Sequence, residues 1–168
     1  MKKIGIFFGS TTGTTDDVAH RIAAKLGVDD SDIHDVSSAS VSDVDPYEVL
    51  LLGSSTWGSG DLQDDWEAFL GDLKGADLSG KKVSFFGCGD SASFGDTFCG
   101  GMGCIYNGLK ETGCTFFGAV DSSNYSFDDS EAVVDGKFVG LALDEMNEGD
   151  QTDDRIDNWV AAIQGDIA

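Results

Sequence analysis

The residues with most chemistry to offer near the start of the chain are short hydroxyls. "FFGSTTGTTDD", Phe7 to Asp17, sets Ser10, Thr11, Thr12, Thr14 and Thr15 around Gly13, between an apolar run and a helical pattern. Amides at a helix start, joined by short hydroxyls, form a nest that accepts an anion. A phosphate-transferring P-loop needs a lysine where Thr14 stands,. A dinucleotide fingerprint needs GxGxxG, and the glycines here are Gly9 and Gly13,. The loop suits one terminal phosphate that is held and not transferred. Alone, it reads equally well as an ordinary threonine-rich helix cap.

Two more junctions follow the same recipe. "SSTWGSGD" (54–61) sets Trp57 among small residues, and "GCGDSASFGDTF" (87–98) does the same for Phe94. A large aromatic in an open turn either plugs the core or offers a flat platform. Two such platforms beside a phosphate nest make a sandwich for a ring system with a phosphate tail, and FMN matches that better than a nucleoside triphosphate.

These loops need a scaffold, and periodicity supplies one. Apolar runs at 3–8, 31–36, 47–54, 81–89 and 114–120, with another at 137–143, read as strands,. Between them, Thr14 to Leu26, Gln63 to Leu73, Phe98 to Thr112 and 152–163 read as helices,. Asp16 and Asp17 suit the first turn of the first helix, and Gly27 stops it,. Strand–helix alternation predicts an α/β fold: one doubly wound parallel sheet with helices on both faces, formed by residues 1–168 as a single domain. Ligands of such sheets bind at the carboxyl ends of the strands. The loops 9–15, 54–61 and 87–99 are therefore expected to converge.

Composition narrows the partners. Ten Lys+Arg against 31 Asp+Glu give a net charge of −21, which repels nucleic acid and anionic membrane surfaces. Such a field favours a basic protein partner, although solubility or a saline habitat explains the acidity equally well. No apolar run approaches the ~20 residues of a membrane span. Cys88, Cys99, Cys104 and Cys114 lack CxxC spacing, so a reduced, cytoplasmic protein without a metal site is the expectation. His20 and His34 read as surface or helix-face residues, and Cys104 and Cys114 as small core residues.

The motifs "GIFFGSTTGTT", "LLLGSSTWGSGDLQDDWEAFL", "FFGCGD…FGDTF" and "GKFVGLALDE…TDDRIDNWV" together resemble the long-chain flavodoxins over essentially the full length. The resemblance implies five parallel strands in the order 2-1-3-4-5, with an insertion near 121–136 splitting the last. By its chemistry, the "SSNYSFDDSE" run of that insertion reads as a solvated loop. The resemblance also implies non-covalent FMN and one-electron transfer between proteins, without substrate turnover or catalytic residues. Partners would be basic redox proteins, such as an NADP reductase or a low-potential acceptor enzyme, met by a monomer.

Carried over residue by residue, the phosphate loop falls on Ser10, Thr11, Thr12, Gly13, Thr14 and Thr15. The inner segment falls on Ser55, Thr56, Trp57, Gly58, Ser59 and Gly60, with Trp57 stacking and the Gly58 carbonyl free to turn toward the flavin. The outer loop falls on Cys88, Gly89, Asp90 and Phe94, with Thr97 and Cys99 at the pyrimidine and ribityl side. Three positions depart from the pattern: Phe94 stands where tyrosine is usual, Met146 where an acid is frequent, and Gly100 where a polar residue is frequent. A flavin enzyme of the same fold, such as a quinone reductase, is the nearer rival. A phospho-receiver domain is a weak one, because Gly9-Ser10-Thr11 replaces its acids and "FFGAVDSS" lacks its lysine.

Overall fold

A buried parallel strand must be apolar on both sides, and "IGIFFG" meets that demand. It forms β1, Ile4–Gly9, with every residue buried. The computed structural model describes residues 2–57 and 60–168. After β1 come α1 (Thr14–Leu26), β2 (Ile33–Asp35), β3 (Val49–Trp57), β4 (Asp61–Leu62) and α2 (Asp64–Leu73). Then follow β5 (Lys82–Cys88), α3 (Gly100–Gly108), β6 (Thr115–Phe116), β7 (Val120–Asp121), β8 (Val133–Val134) and β9 (Lys137–Phe138). β10 (Leu141–Leu143), α4 (Glu145–Glu148) and α5 (Thr152–Ile167) complete the chain.

The main sheet runs β2-β1-β3-β5-β10, with β6 also paired to β5 and short β4 turned back antiparallel on the end of β3. β6 and β10 occupy one edge of β5 in a single frame. Lys82 and Val83 face Thr115 and Phe116, then Phe86, Gly87 and Cys88 face Leu141, Ala142 and Leu143. They are two halves of one fifth strand, which gives the expected 2-1-3-4-5 order. Continuing each half's frame places the break at 119–140, wider than the expected 121–136.

Alternation along the strands builds two cores. Ile4, Ile6, Phe8, Leu51, Phe86 and Leu141 pack against α1 and α5, while Phe7, Leu50, Leu52, Val83 and Phe85 pack against α2 and α3. At about 25 cal/mol per Å² of apolar surface buried, these faces dominate the folding free energy. The glycines of α3, unusual in a helix, have a packing reason. A Cβ on Gly101 would sit 2.6 Å from the Ser55 carbonyl oxygen, and one on Gly103 would sit 2.7 Å from the Ala132 nitrogen.

The segment between the strand halves is more than a solvated loop. β7, β9 and β8 form their own antiparallel sheet. Its β8–β9 hairpin turns on Asp135 (φ 54°) and Gly136 (φ 80°), the pair of positive φ values that an Asp-Gly turn supplies. Tyr125, Phe127 and Phe138 cluster with Phe98 of the main core, and Tyr125 Oη donates to Ala142 O at 2.7 Å. The expected strands at 114–120 and 137–143 each divide between the two sheets, because the chain leaves one sheet for the other within each run. His34 also differs from expectation: it lies half-buried on β2, stacked 4.5 Å from Phe7.

Candidate functional site

β1, β3 and β5 run parallel, so the loops after them emerge at one end of the sheet. The contacts among these loops confirm the convergence. Thr11 Oγ1 accepts from Gln63 Nε2 at 3.2 Å, tying the first loop to the start of α2. Thr56 Oγ1 accepts from the Gly101 amide at 3.1 Å, tying the second loop to α3. A Cβ built on Gly60 would lie 3.1 Å from Thr97 Cβ, so the second and third loops touch.

The first loop is closed by its own residues. The Gly13 amide donates to Ser10 Oγ at 3.0 Å, and Asp17 N–H returns to Gly13 O at 3.0 Å to begin α1. Gly13 adopts φ 93°, a left-handed conformation that glycine takes without strain,. No side chain caps α1 among the described residues, so its first-turn amides keep their donors and the positive end of the helix dipole faces the loop. Ser10, Thr11, Thr12 and Thr14 surround that end. Thr15 does not join them: it is fully buried, with its side chain toward Cys88.

In the second loop, Ser55 and Thr56 are half-buried at the end of β3, and Gly60 (φ 92°) turns the chain into β4. Gly58, Ser59 and the Trp57 side chain lie outside the described residues.

The third loop leaves β5 at Cys88 and reaches α3 at Cys99. Phe94 is 45% exposed at its tip. Thr97 carries a buried hydroxyl without a hydrogen-bond partner among the described residues. Cys88 and Cys99 point their sulfurs into the core, where burial pushes the Cys88 thiol up to about 12 and the Cys99 thiol well above its usual value. Both remain thiols near neutrality, so neither is a redox nucleophile. Cys104 and Cys114 are half-buried, short of the core positions expected for them. Asp90 turns its carboxylate inward on its own loop, where it accepts from the Ser93 amide at 3.0 Å and from Asn147 Nδ2 at 2.8 Å. Asn147 foremost, with Ser93, holds the Asp90 carboxyl below its usual range.

Sequence reasoning missed the residues that hold these loops. Gln63 is buried and bridges Thr11, Ser54 and Asp65; its place just before the acidic start of α2 marks it as a helix cap. Asp144, fully buried beyond β10, accepts from the Ser91 amide at 3.2 Å and from the Ser91 hydroxyl. Asp128 and Asp129 donate their amides to Gly95 O at 2.7 and 3.0 Å. No local pattern announces Asp144, Asp128 or Asp129 as partners of the third loop.

A donor-rich helix end, an exposed aromatic and an unmatched buried hydroxyl meet at one end of the sheet, which fits a flat ring carrying a phosphate. No group of three or more His, Cys, Asp or Glu positioned to hold a metal occurs among the described residues, and no described helix is long and apolar enough to cross a membrane. Residues 6–159 match the family model described as flavodoxin. A flavodoxin of Nostoc is 43% identical over 166 residues, covering 99% of this chain and 98% of its own length. Flavodoxin 1 of Escherichia coli is 39% identical over 168 residues, covering 99% and 96%. A Fusobacterium nucleatum flavodoxin mutant, solved bound to flavin mononucleotide, superposes with a TM-score of 0.93 at 32% identity, covering 100% of this chain and 98% of that one. With most of its length matched by that family and its fold shared from end to end, this chain belongs to the flavodoxin family.

Proposed function

We propose that this protein is an electron carrier, not an enzyme, and that residues 1–168 act as one unit holding a single non-covalent FMN at the junction of the three loops. When bound, FMN supplies one-electron redox chemistry, and the protein tunes its potential. Ser10 to Thr14 and the main chain of Thr15 hold the phosphate, using the α1 amides in place of a lysine. Ser55 to Gly60 flank the inner face of the ring, with Trp57 against it. Phe94 covers the outer face, with Gly89, Asp90, Thr97 and the main chains of Cys88 and Cys99 beside it. The observation that carries this reading is the hydroxyl-ringed helix end, without a side-chain cap among the described residues, at the same end of the sheet as an exposed aromatic.

The net charge of −21 favours basic redox partners, such as an NADP reductase or a low-potential acceptor, approached by a monomer in the cytoplasm. The test is the visible spectrum of the purified protein, followed by anaerobic reduction. The expected protein is yellow, binds one FMN per chain and takes up two electrons in separate stages. A protein that stays colourless after addition of FMN overturns the proposal.

A further inference from the structure

We propose that Asn147 is a positioning residue for the outer loop: its carboxamide latches Asp90 on that loop to Asp144 beyond β10, and so sets how firmly the flavin ring is held. The inference rests on the FMN reading above.

Asp144 is fully buried. Its carboxylate is met by neutral donors: the Ser91 amide and hydroxyl, the Asn147 amide at 3.1 Å, and Asn147 Nδ2 at 3.1 and 3.2 Å. The same Nδ2 donates to Asp90 Oδ1 at 2.8 Å. One side-chain amide therefore bridges two carboxylates. The neighbouring cations are engaged elsewhere, Arg21 with Glu145 and Arg155 with Glu148. Asp90 accepts from Ser93 and Asp144 from Ser91, so both ends of the bridge grip the turn that leads to Phe94.

Asparagine suits this place through its chemistry. Aspartate would put a third carboxylate against the other two, and alanine would leave both carboxylates short of a donor. Glutamine keeps the donor on a longer arm. The anion-binding loop after β1 shares no hydrogen bond with Asn147 among the described residues. A defect in the latch should therefore weaken ring binding without touching phosphate binding.

The experiment compares wild type with Asn147→Ala, Asn147→Asp and Asn147→Gln as apoproteins. Titration with FMN and with riboflavin, followed by quenching of free-flavin fluorescence, gives both affinities. Amide hydrogen exchange of Ser91 and Ser93 in the apoprotein gives a readout independent of flavin. For Asn147→Ala, FMN and riboflavin affinities should fall by one common factor of about tenfold, the scale of one lost hydrogen bond to a charged group. Exchange at Ser91 and Ser93 should accelerate, while the thermal midpoint shifts only slightly. Asn147→Asp should bind more weakly than Asn147→Ala, and Asn147→Gln should recover part of the loss. Unchanged riboflavin affinity in Asn147→Ala, or unchanged exchange at both serines, overturns the latch while leaving the FMN reading intact. A wild type that binds neither flavin overturns both.

Discussion

The loops after β1 and β5 face the same site but are built in opposite ways. The first is closed from within: Ser10 to Gly13 across three residues, then Gly13 to Asp17 at the start of α1. Among the described residues, its distant side-chain tie is the hydrogen bond from Gln63 to Thr11. The third loop is held from outside. Asp90 meets Asn147 57 residues away, Ser91 meets Asp144 at 53, and Phe98 meets Ser130 at 32. An anion nest needs only a helix end and a few hydroxyls, which one short peptide contains. A ring platform needs a fixed height and tilt, which a glycine-rich turn cannot supply for itself.

This contrast makes Asp144→Ala the most damaging change. It removes the buried carboxylate that half-buried Ser91 and exposed Asn147 donate to, and should cost about 3 kcal/mol, or roughly 6–12 °C in thermal midpoint. A calorimetric shift below a couple of degrees would show that the third loop supports itself after all.

Gly13→Ala comes next. The new Cβ meets nothing within 4 Å, so the penalty is the positive φ alone, about 1–2 kcal/mol. The affinity for FMN should fall while that for riboflavin is spared, and equal losses would erase the division of labour between the loops.

Arg21 links the two regions, since it stands on α1 and pairs with Glu145 of α4 as well as with Asp153 and Asp17. Asp17 and Asp153 are exposed while Glu145 is partly buried, so Arg21→Ala should cost about 1 kcal/mol and less in high salt. Denaturant midpoints of the variant at low and high salt would test it.

The smallest effect is protonic. Because the folded-state pKa of Asp90 is depressed, its contribution is present above the usual carboxylate value of 3.8 and is lost as acid carries the pH down through the folded value,. In Asn147→Ala, the carboxyl carbon of Asp90 should titrate closer to 3.8 by NMR. A midpoint unchanged from wild type would mean that Ser93 alone holds the carboxylate.

The same division governs how much the sequence discloses. The α/β class, the strand order and the hydroxyl-rich turn at the start of α1 are legible because each rests on a local pattern: buried apolar runs, helical periodicity, or small polar residues at a helix start. The insertion differs from the solvated loop expected of it because "SSNYSFDDSE" is polar on average, yet Tyr125 and Phe127 point inward against Phe98 and Phe138. The Asp-Gly pair at 135–136 is the local signal for the β8–β9 hairpin. Asp144 and Asn147 are ordinary polar residues in sequence, and their role exists only once β10 lies beside β5. Thr15, Cys88 and Cys99 lie in or beside the expected loops, but their side chains answer to the core.

The split fifth strand bears on chain entropy. Lys82 and Thr115, partners at one end of the edge, are 33 residues apart, whereas Phe86 and Leu141, partners at the other, are 55 apart. Loop closure grows only as the logarithm of length, so the longer excursion adds about 0.5 kcal/mol to the cost of placing the second half-strand. The aromatic contacts that residues 119–140 make with Phe98 can offset that easily. A segment that returns to the edge in frame, at so small an entropic cost, is free to change its length and content while the strands beneath the site keep their register.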